Sequence, residues 1–316
     1  MKPGNPYYNL IDFLKEHFDC KMQKVPVNAG FSCPNRDGTK GRGGCSYCNN
    51  LMFSPDYCHQ QNTISRQIND GITFFSEKYP EMRFLAYFQT YTNTYGDAGA
   101  LMAMYREALA HPLVDGLIIS TRPDCIDNNL LKQLSTLARE RFVMIEYGVE
   151  STLDRTLKAI NRGHTFAASQ DAIRRTADNG IYAGAHMILG LPGESRDNLL
   201  AHADKLSELP LTTIKLHHLQ IIKDTAMARQ YAERPGDFRF FTVDEYARLC
   251  VEFAERLRPD IVIERFVSQS PKNYLIAPDW GVKNNEFTVK VLRMFETLGS
   301  WQGRLYKNAT PQPSEK

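Results

Sequence analysis

Short apolar runs and longer amphipathic runs alternate along residues 24–220, and this alternation restricts the chain to a parallel sheet covered by helices. The runs at 24–28, 83–89, 115–120, 142–149, 181–189 and 212–220 are rich in Val, Ile, Tyr, Phe or Leu and have strand length. Between them, residues 63–79, 98–110, 128–141, 152–160, 166–179 and 196–208 carry helical patterns, the fifth stopping at Asn179-Gly180. Six such units build either an open doubly wound sheet or a curled partial barrel, and periodicity does not separate the two. In both, the site lies at the carboxyl ends of the strands. Polar and glycine-rich segments follow the strands there: 89–95, 120–124, 150–151 and 190–194. Beyond Gln220 the pattern changes to a helix at 242–258, a strand at 261–266 and a last helix at 285–298. The expected organisation is an N-terminal segment 1–19, a core 20–240, a C-terminal α/β extension 241–307 and a disordered tail 308–316.

One loop concentrates the chemistry. Cys33, Cys45 and Cys48 lie on a glycine-rich arc that closes Cys45-Ser46-Tyr47-Cys48. Three thiolates hold three corners of a four-iron cluster and leave the fourth iron open to a small molecule. Structural zinc is the rival reading, and it needs a fourth ligand; Cys58, Cys20, His17 and His59 are available. The long arc followed by a tight Cys-x-x-Cys tilts toward iron and sulfur. Cys20, Cys125, Cys250 and Cys58 read as buried thiols. From Lys21 to Arg42, five basic residues face one acid, so the loop is positive although the chain's net charge is only +2. That stretch is either a solvated face or a surface for a phosphate-rich partner. No apolar run reaches membrane-spanning length, and the first residues lack the apolar core of a signal peptide; the expectation is a cytoplasmic protein with no membrane partner.

The cysteine loop resembles that of the radical S-adenosylmethionine (SAM) enzymes, whose signature ends Cys-x-aromatic-Cys. Its long first gap is similar to the branch that contains the elongator catalytic subunit and the bacterial YhcC/YtqA-like proteins. The resemblance runs over roughly residues 20–280 through four more tags: Ser120-Thr121-Arg122-Pro123-Asp124, Gly148-Val149-Glu150-Ser151, Asn161-Arg162-Gly163-His164-Thr165 and Gly190-Leu191-Pro192-Gly193-Glu194. It implies a partial (β/α)6 barrel with a C-terminal α/β extension. It also implies a [4Fe-4S] cluster on Cys33, Cys45 and Cys48, and reductive cleavage of SAM to a 5′-deoxyadenosyl radical that takes hydrogen from a substrate.

The resemblance further implies SAM contacts residue by residue. Tyr47 neighbours the adenine; Gln89 and Thr90 stand where relatives have glycines that receive the amino group, with backbone groups able to substitute. Glu150 stands where relatives often place Gln on the ribose, and a carboxylate accepts hydroxyl hydrogen bonds well. Arg162 stands where a guanidinium meets the SAM carboxylate. His186 faces SAM or is a core histidine; Arg122 and Asp124 orient SAM or pair with each other. Lys215 and His217 share one strand face by the period-two rule and are substrate-side candidates if that face is interior. The implied substrate is RNA, a tRNA wobble uridine or its side chain, with an electron donor such as flavodoxin or ferredoxin. A small-molecule substrate such as a porphyrinogen, or a zinc-stabilised RNA-binding module, are the alternatives.

Overall fold

The computed structural model describes residues 5–49, 55–77 and 81–307. The expected tail from Asn308, the start of the N-terminal segment and the end of the helix expected at 63–79 lie outside the described residues. Seven parallel strands form one sheet: β1 (Met22–Val27), β2 (Arg83–Phe88), β3 (Val114–Thr121), β4 (Phe142–Glu150), β5 (Tyr182–Leu189), β6 (Thr213–His218) and β8 (Val262–Arg265), in that spatial order. The fold is therefore the partial α/β barrel expected, with the extension's strand β8 added to the same sheet beside β6. A two-stranded antiparallel pair, β7 (Ile221–Ile222) with β9 (Leu275–Ala277), flanks it.

The connecting helices are α2 (Ile64–Ser76), α3 (Ala98–Leu109), α4 (Asn128–Ala138), α5 (Asp154–Ala159), α6 (Phe166–Asp178) and α7 (Arg196–Ser207). Their starts are set by local chemistry: the side chains of Thr63, Asp97, Asp127 and Ser195 each accept a backbone N–H of the first turn. Gly180 adopts φ +71° just after α6, the left-handed stop that Asn179-Gly180 announces. Some elements differ from expectation, α1 (Leu10–Lys15), β7 and β9 among them. The strand expected to 220 ends at His218, and α8 (Ala226–Glu233) follows where no helix is anticipated. Thr225 caps that helix. In the extension, α9 (Val243–Arg256) packs against α7 and α10 (Asn284–Thr297).

The interior is layered, as inward positions recur every second residue along each strand. At the amino-terminal end, Leu85, Ile118, Phe142, Met144 and Val262 form an apolar layer plugged by Phe13 of α1 (Leu10–Lys15). Above it lies a layer of charge: Lys24, Tyr87, Ser120, Glu146, Lys215 and Glu264. Lys24 on β1 donates to Glu264 on β8 at 2.6 Å, so the sheet curls until its two outer strands are one side chain apart. The edge of β8 is covered in turn: Ile263 N–H donates to Tyr8 O at 2.8 Å.

Candidate functional site

The loop after β1 reaches over the carboxyl end of the barrel and is fixed from beneath by two asparagines. Asn35, 1% exposed, donates to Asn161 O at 2.6 Å and approaches Cys45 Sγ at 3.7 Å. Asn161 donates back to Gly44 O at 2.8 Å and to Arg42 O at 3.1 Å, while Ser46 N–H bonds Ile160 O. The Asn161-Arg162 tag is thus the seat of the loop. Cys45 is buried; Cys33 and Cys48 are half-buried. All three thiols line one cavity of about 230 Å³. Burial, and then the neighbouring Cys45, push the Cys48 thiol up to about 12, against the pull of Arg36. Cys48 therefore favours its neutral thiol until a metal displaces the proton.

The donor set fits a cluster with an open corner. No three His, Cys, Asp or Glu side chains among the described residues converge as the ligands of one metal ion. Three of the four candidates for a fourth zinc ligand are engaged elsewhere. Cys58 donates to Pro26 O, Cys20 contacts Met22 Sδ, and His17 bonds Phe13 O and the Tyr182 hydroxyl beside the apolar plug. All seven cysteines are free thiols.

Tyr47, Gln89, Arg122, Glu150, Arg162 and His186 line the same cavity as the three cysteines. Thr90 is buried and is not a lining residue; Tyr91 (φ +64°) and Thr92 line the wall instead. The reason is Asn93, whose amide donates to Phe88 O and Ser120 O and folds the segment after β2 inward. Arg162 bonds Gly148 O through Nε at 3.2 Å, lies 3.5 Å from Cys45 Sγ and 3.7 Å from Glu150. A Cβ at Gly148 would lie 2.5 Å from the Arg162 guanidinium, so a larger residue there displaces that side chain. Glu150 has φ +67°, at a register irregularity between Gly148 and Glu150 that turns its carboxylate toward Tyr47. Burial raises its carboxyl above the ordinary value, opposed by Arg162 and Tyr47.

Arg122, 2% exposed, grips Asp124 through Nε at 2.9 Å and Nη2 at 3.2 Å. Burial opposes ionisation of Asp124, but the Arg122 hydrogen bonds and charge prevail and hold its carboxyl at about 2. Arg122 Nη1 is buried with no partner among the described residues. Arg36, which sequence reasoning does not single out, lines the cavity and donates to Cys48 O at 2.6 Å.

Below the cavity sits the charged layer, of which sequence reasoning reaches only Lys215. Glu146 accepts from Lys215 at 2.5 Å, Lys24 at 3.1 Å, His186 at 3.0 Å and Ser120 at 3.2 Å. Burial alone would raise the Glu146 carboxyl, yet Lys215 and Lys24 hold it well below the ordinary range. Lys215 also donates to the Tyr87 hydroxyl at 3.0 Å and reaches Glu264 at 3.2 Å. Burial, then Lys215, depress His186 to about 4, so its imidazole is neutral near pH 7. Lys215 and His217 do share the interior face; His217 lines the cavity, and His218 lines it too while stacking on Trp280 at 4.0 Å. The signal for this layer is present in the sequence as single charges at alternate positions of otherwise apolar strands.

Comparison with known proteins identifies the family. The sequence profile of the radical SAM superfamily matches residues 33–206, and that of the radical SAM C-terminal domain matches residues 211–296. The chain is 32% identical to the YtqA protein of Bacillus subtilis over 302 residues, covering 95% of this chain and 93% of that one. A tRNA uridine(34) acetyltransferase of Methanocaldococcus infernus is 23% identical over 191 residues, covering 58% of this chain and 33% of that protein. Among solved structures, an N-terminally truncated Elp3 from Methanocaldococcus infernus superimposes with a TM-score of 0.69 at 16% identity, covering 90% of this chain. The chain spans only 64% of that Elp3 chain, so this likeness is one of fold.

Proposed function

The chain belongs to the radical SAM superfamily, in the branch that holds YtqA, and from that premise we propose that it is a SAM-cleaving enzyme of RNA modification, acting on a tRNA wobble uridine or its side chain. In this reading Cys33, Cys45 and Cys48 hold a [4Fe-4S] cluster, which together with SAM supplies a hydrogen-abstracting radical when bound. The observation that carries the reading is the gathering of these three thiols with Tyr47, Arg122, Glu150 and His186 around one cavity at the carboxyl ends of parallel strands.

The chain's own groups then have distinct tasks. The unpartnered Nη1 of Arg122 and the guanidinium of Arg36 offer donors to a carboxylate. Glu150 accepts hydrogen bonds from ribose hydroxyls, and the Tyr47 ring beside it packs on the adenine. Arg162 holds Cys45 and the turn of β4 in place. The ion-paired layer of Glu146, Lys215 and Tyr87 closes the floor of the cavity, a barrier between the cavity and the plugged end of the barrel. The similarity to a tRNA uridine acetyltransferase supports RNA as substrate, as does the positive loop, where exposed Arg42 offers a phosphate contact that positions an RNA without reading its sequence.

The test is anaerobic reconstitution with iron and sulfide, with spectra before and after SAM, then reduction by dithionite and assay for 5′-deoxyadenosine. A brown protein that makes deoxyadenosine, and makes it faster with undermodified tRNA, supports the whole reading. Deoxyadenosine without tRNA binding in a gel shift removes the RNA part alone. A colourless, zinc-loaded protein removes the cluster part.

A further inference from the structure

The cavity has a second wall, opposite in the sheet order from the cysteine loop. Its backbone is irregular at one point: Thr213 pairs with Val262 and Ile214 with Ile263, but Lys215 pairs with Arg265, so the register skips Glu264. In a regular strand Glu264 and Arg265 would point to opposite faces. The bulge lets both face inward, Glu264 into the ion-paired layer and Arg265 into the cavity above it.

Glu264 is consumed by Lys24 and Lys215, and Glu146 by Lys24, Lys215 and His186. Arg265 makes no ion pair among the described residues. Its Nη2 donates to His217 Nε2 at 3.0 Å, and its Nε is buried with no partner among the described residues. The His217 ring is itself held neutral by burial and by Arg265, and it lies 5.5 Å from the neutral His186 ring. The ion-paired layer and Arg265 above it thus hold three cations, Lys24, Lys215 and Arg265, against two carboxylates, Glu146 and Glu264. Arg265 is half-buried, its Nε is buried without a partner among the described residues, and a bulge that aims a guanidinium lacking an ion pair into a cavity suits an occupant that brings the charge.

We propose that Arg265, with His217 and the Ser268 hydroxyl on the same wall, forms an anion subsite that receives a carboxylate or phosphate of the substrate, separate from the donors that serve SAM. This rests on the SAM reading above, because it places SAM against the cysteine wall. The planar fork of Arg265 suits either oxyanion: a phosphate next to the reacting nucleoside, or a carboxylate on the group that reacts.

The test contains no RNA, so it is independent of the tRNA reading. Sodium phosphate and sodium acetate are titrated calorimetrically at constant ionic strength into the chain, both as isolated and after loading with cluster and SAM. Wild-type protein is expected to bind at least one of them in both states, with phosphate or acetate preference naming the source. Arg265→Gln should weaken binding at least tenfold, Arg265→Lys by less, and His217→Gln by an intermediate factor if the glutamine variant of Arg265 fails to fold. Binding that vanishes once SAM is loaded overturns the proposal, because the anion is then SAM's own carboxylate. Equal affinity in wild type and all three variants, or no binding to wild type, overturns it as well.

Discussion

The two walls of the cavity reach the same end by different means. The cysteine wall is a loop, shaped by turns and left-handed glycines and pinned by Asn35 and Asn161. The rest of the lining is sheet, shaped by strand parity and by two register irregularities, one that aims Glu150 toward the cysteine loop and one that aims Arg265 inward from the opposite side. A loop carries its chemistry as a contiguous motif; a sheet carries it as isolated residues far apart in sequence. The difference predicts how each wall fails. The loop wall should lose function with little loss of fold, and the sheet wall should lose fold first.

The most severe break is on the loop. Cys48→Ala removes a cluster corner, and reconstituted protein should show no deoxyadenosine above background while its urea midpoint, measured without iron, stays within the error of wild type. A midpoint that drops as activity does would erase the contrast between the walls. On the sheet, Glu146→Gln takes one partner from a buried charge set whose side chain is 1% exposed. Breaking such a set costs about 3–5 kcal/mol, read as a lowered urea midpoint at unchanged slope; a loss under about 1 kcal/mol would show that the layer is hydrated.

Acid sharpens the comparison further. Burial lowers His218, on the sheet wall, to about 3. The folded state therefore refuses a proton that the unfolded state accepts below its ordinary value near 6.5, and stability falls as pH drops through this window. His218 contributes about 1.4 kcal/mol per pH unit between pH 6 and 4. His218→Phe, which keeps a ring against Trp280, should flatten the stability profile by one proton; parallel profiles would mean the ring is hydrated in the fold. The smallest effect belongs to the loop. Gly43 sits at φ +79° with open space around a would-be Cβ. Gly43→Ala should cost only about 1–2 kcal/mol of local backbone strain, seen as faster loss of cluster absorbance in chelator.

The same difference explains what the sequence shows a reader. Every strand of the sheet, and the helices from α2 to α7, follow from apolar periodicity, which hydrocarbon burial sets, with hydrogen-bonding caps marking the starts of α2, α3, α4 and α7. The cysteines, Tyr47, Arg122 and Glu150 announce themselves in short tags. Asn35 does not, since an asparagine in a turn looks like a turn residue until its amide meets Asn161 and Cys45. Lys24, Glu146 and Glu264 do not, because a single charge in an apolar strand looks like an exposed edge until a partner elsewhere in the chain neutralises it. Arg265 is the hardest case. Parity places it outward, and only a one-residue slip against β6 reverses that. The plug helix α1 is six residues long, too short for a periodic signal.

The ion pair between Lys24 and Glu264 joins strands that share no hydrogen-bonded ladder. A barrel closed by such a ladder has a girth fixed by strand number and shear. Here the girth is set at one seam by the reach of a lysine side chain. Widening that seam breaks a side-chain link and leaves every strand register intact.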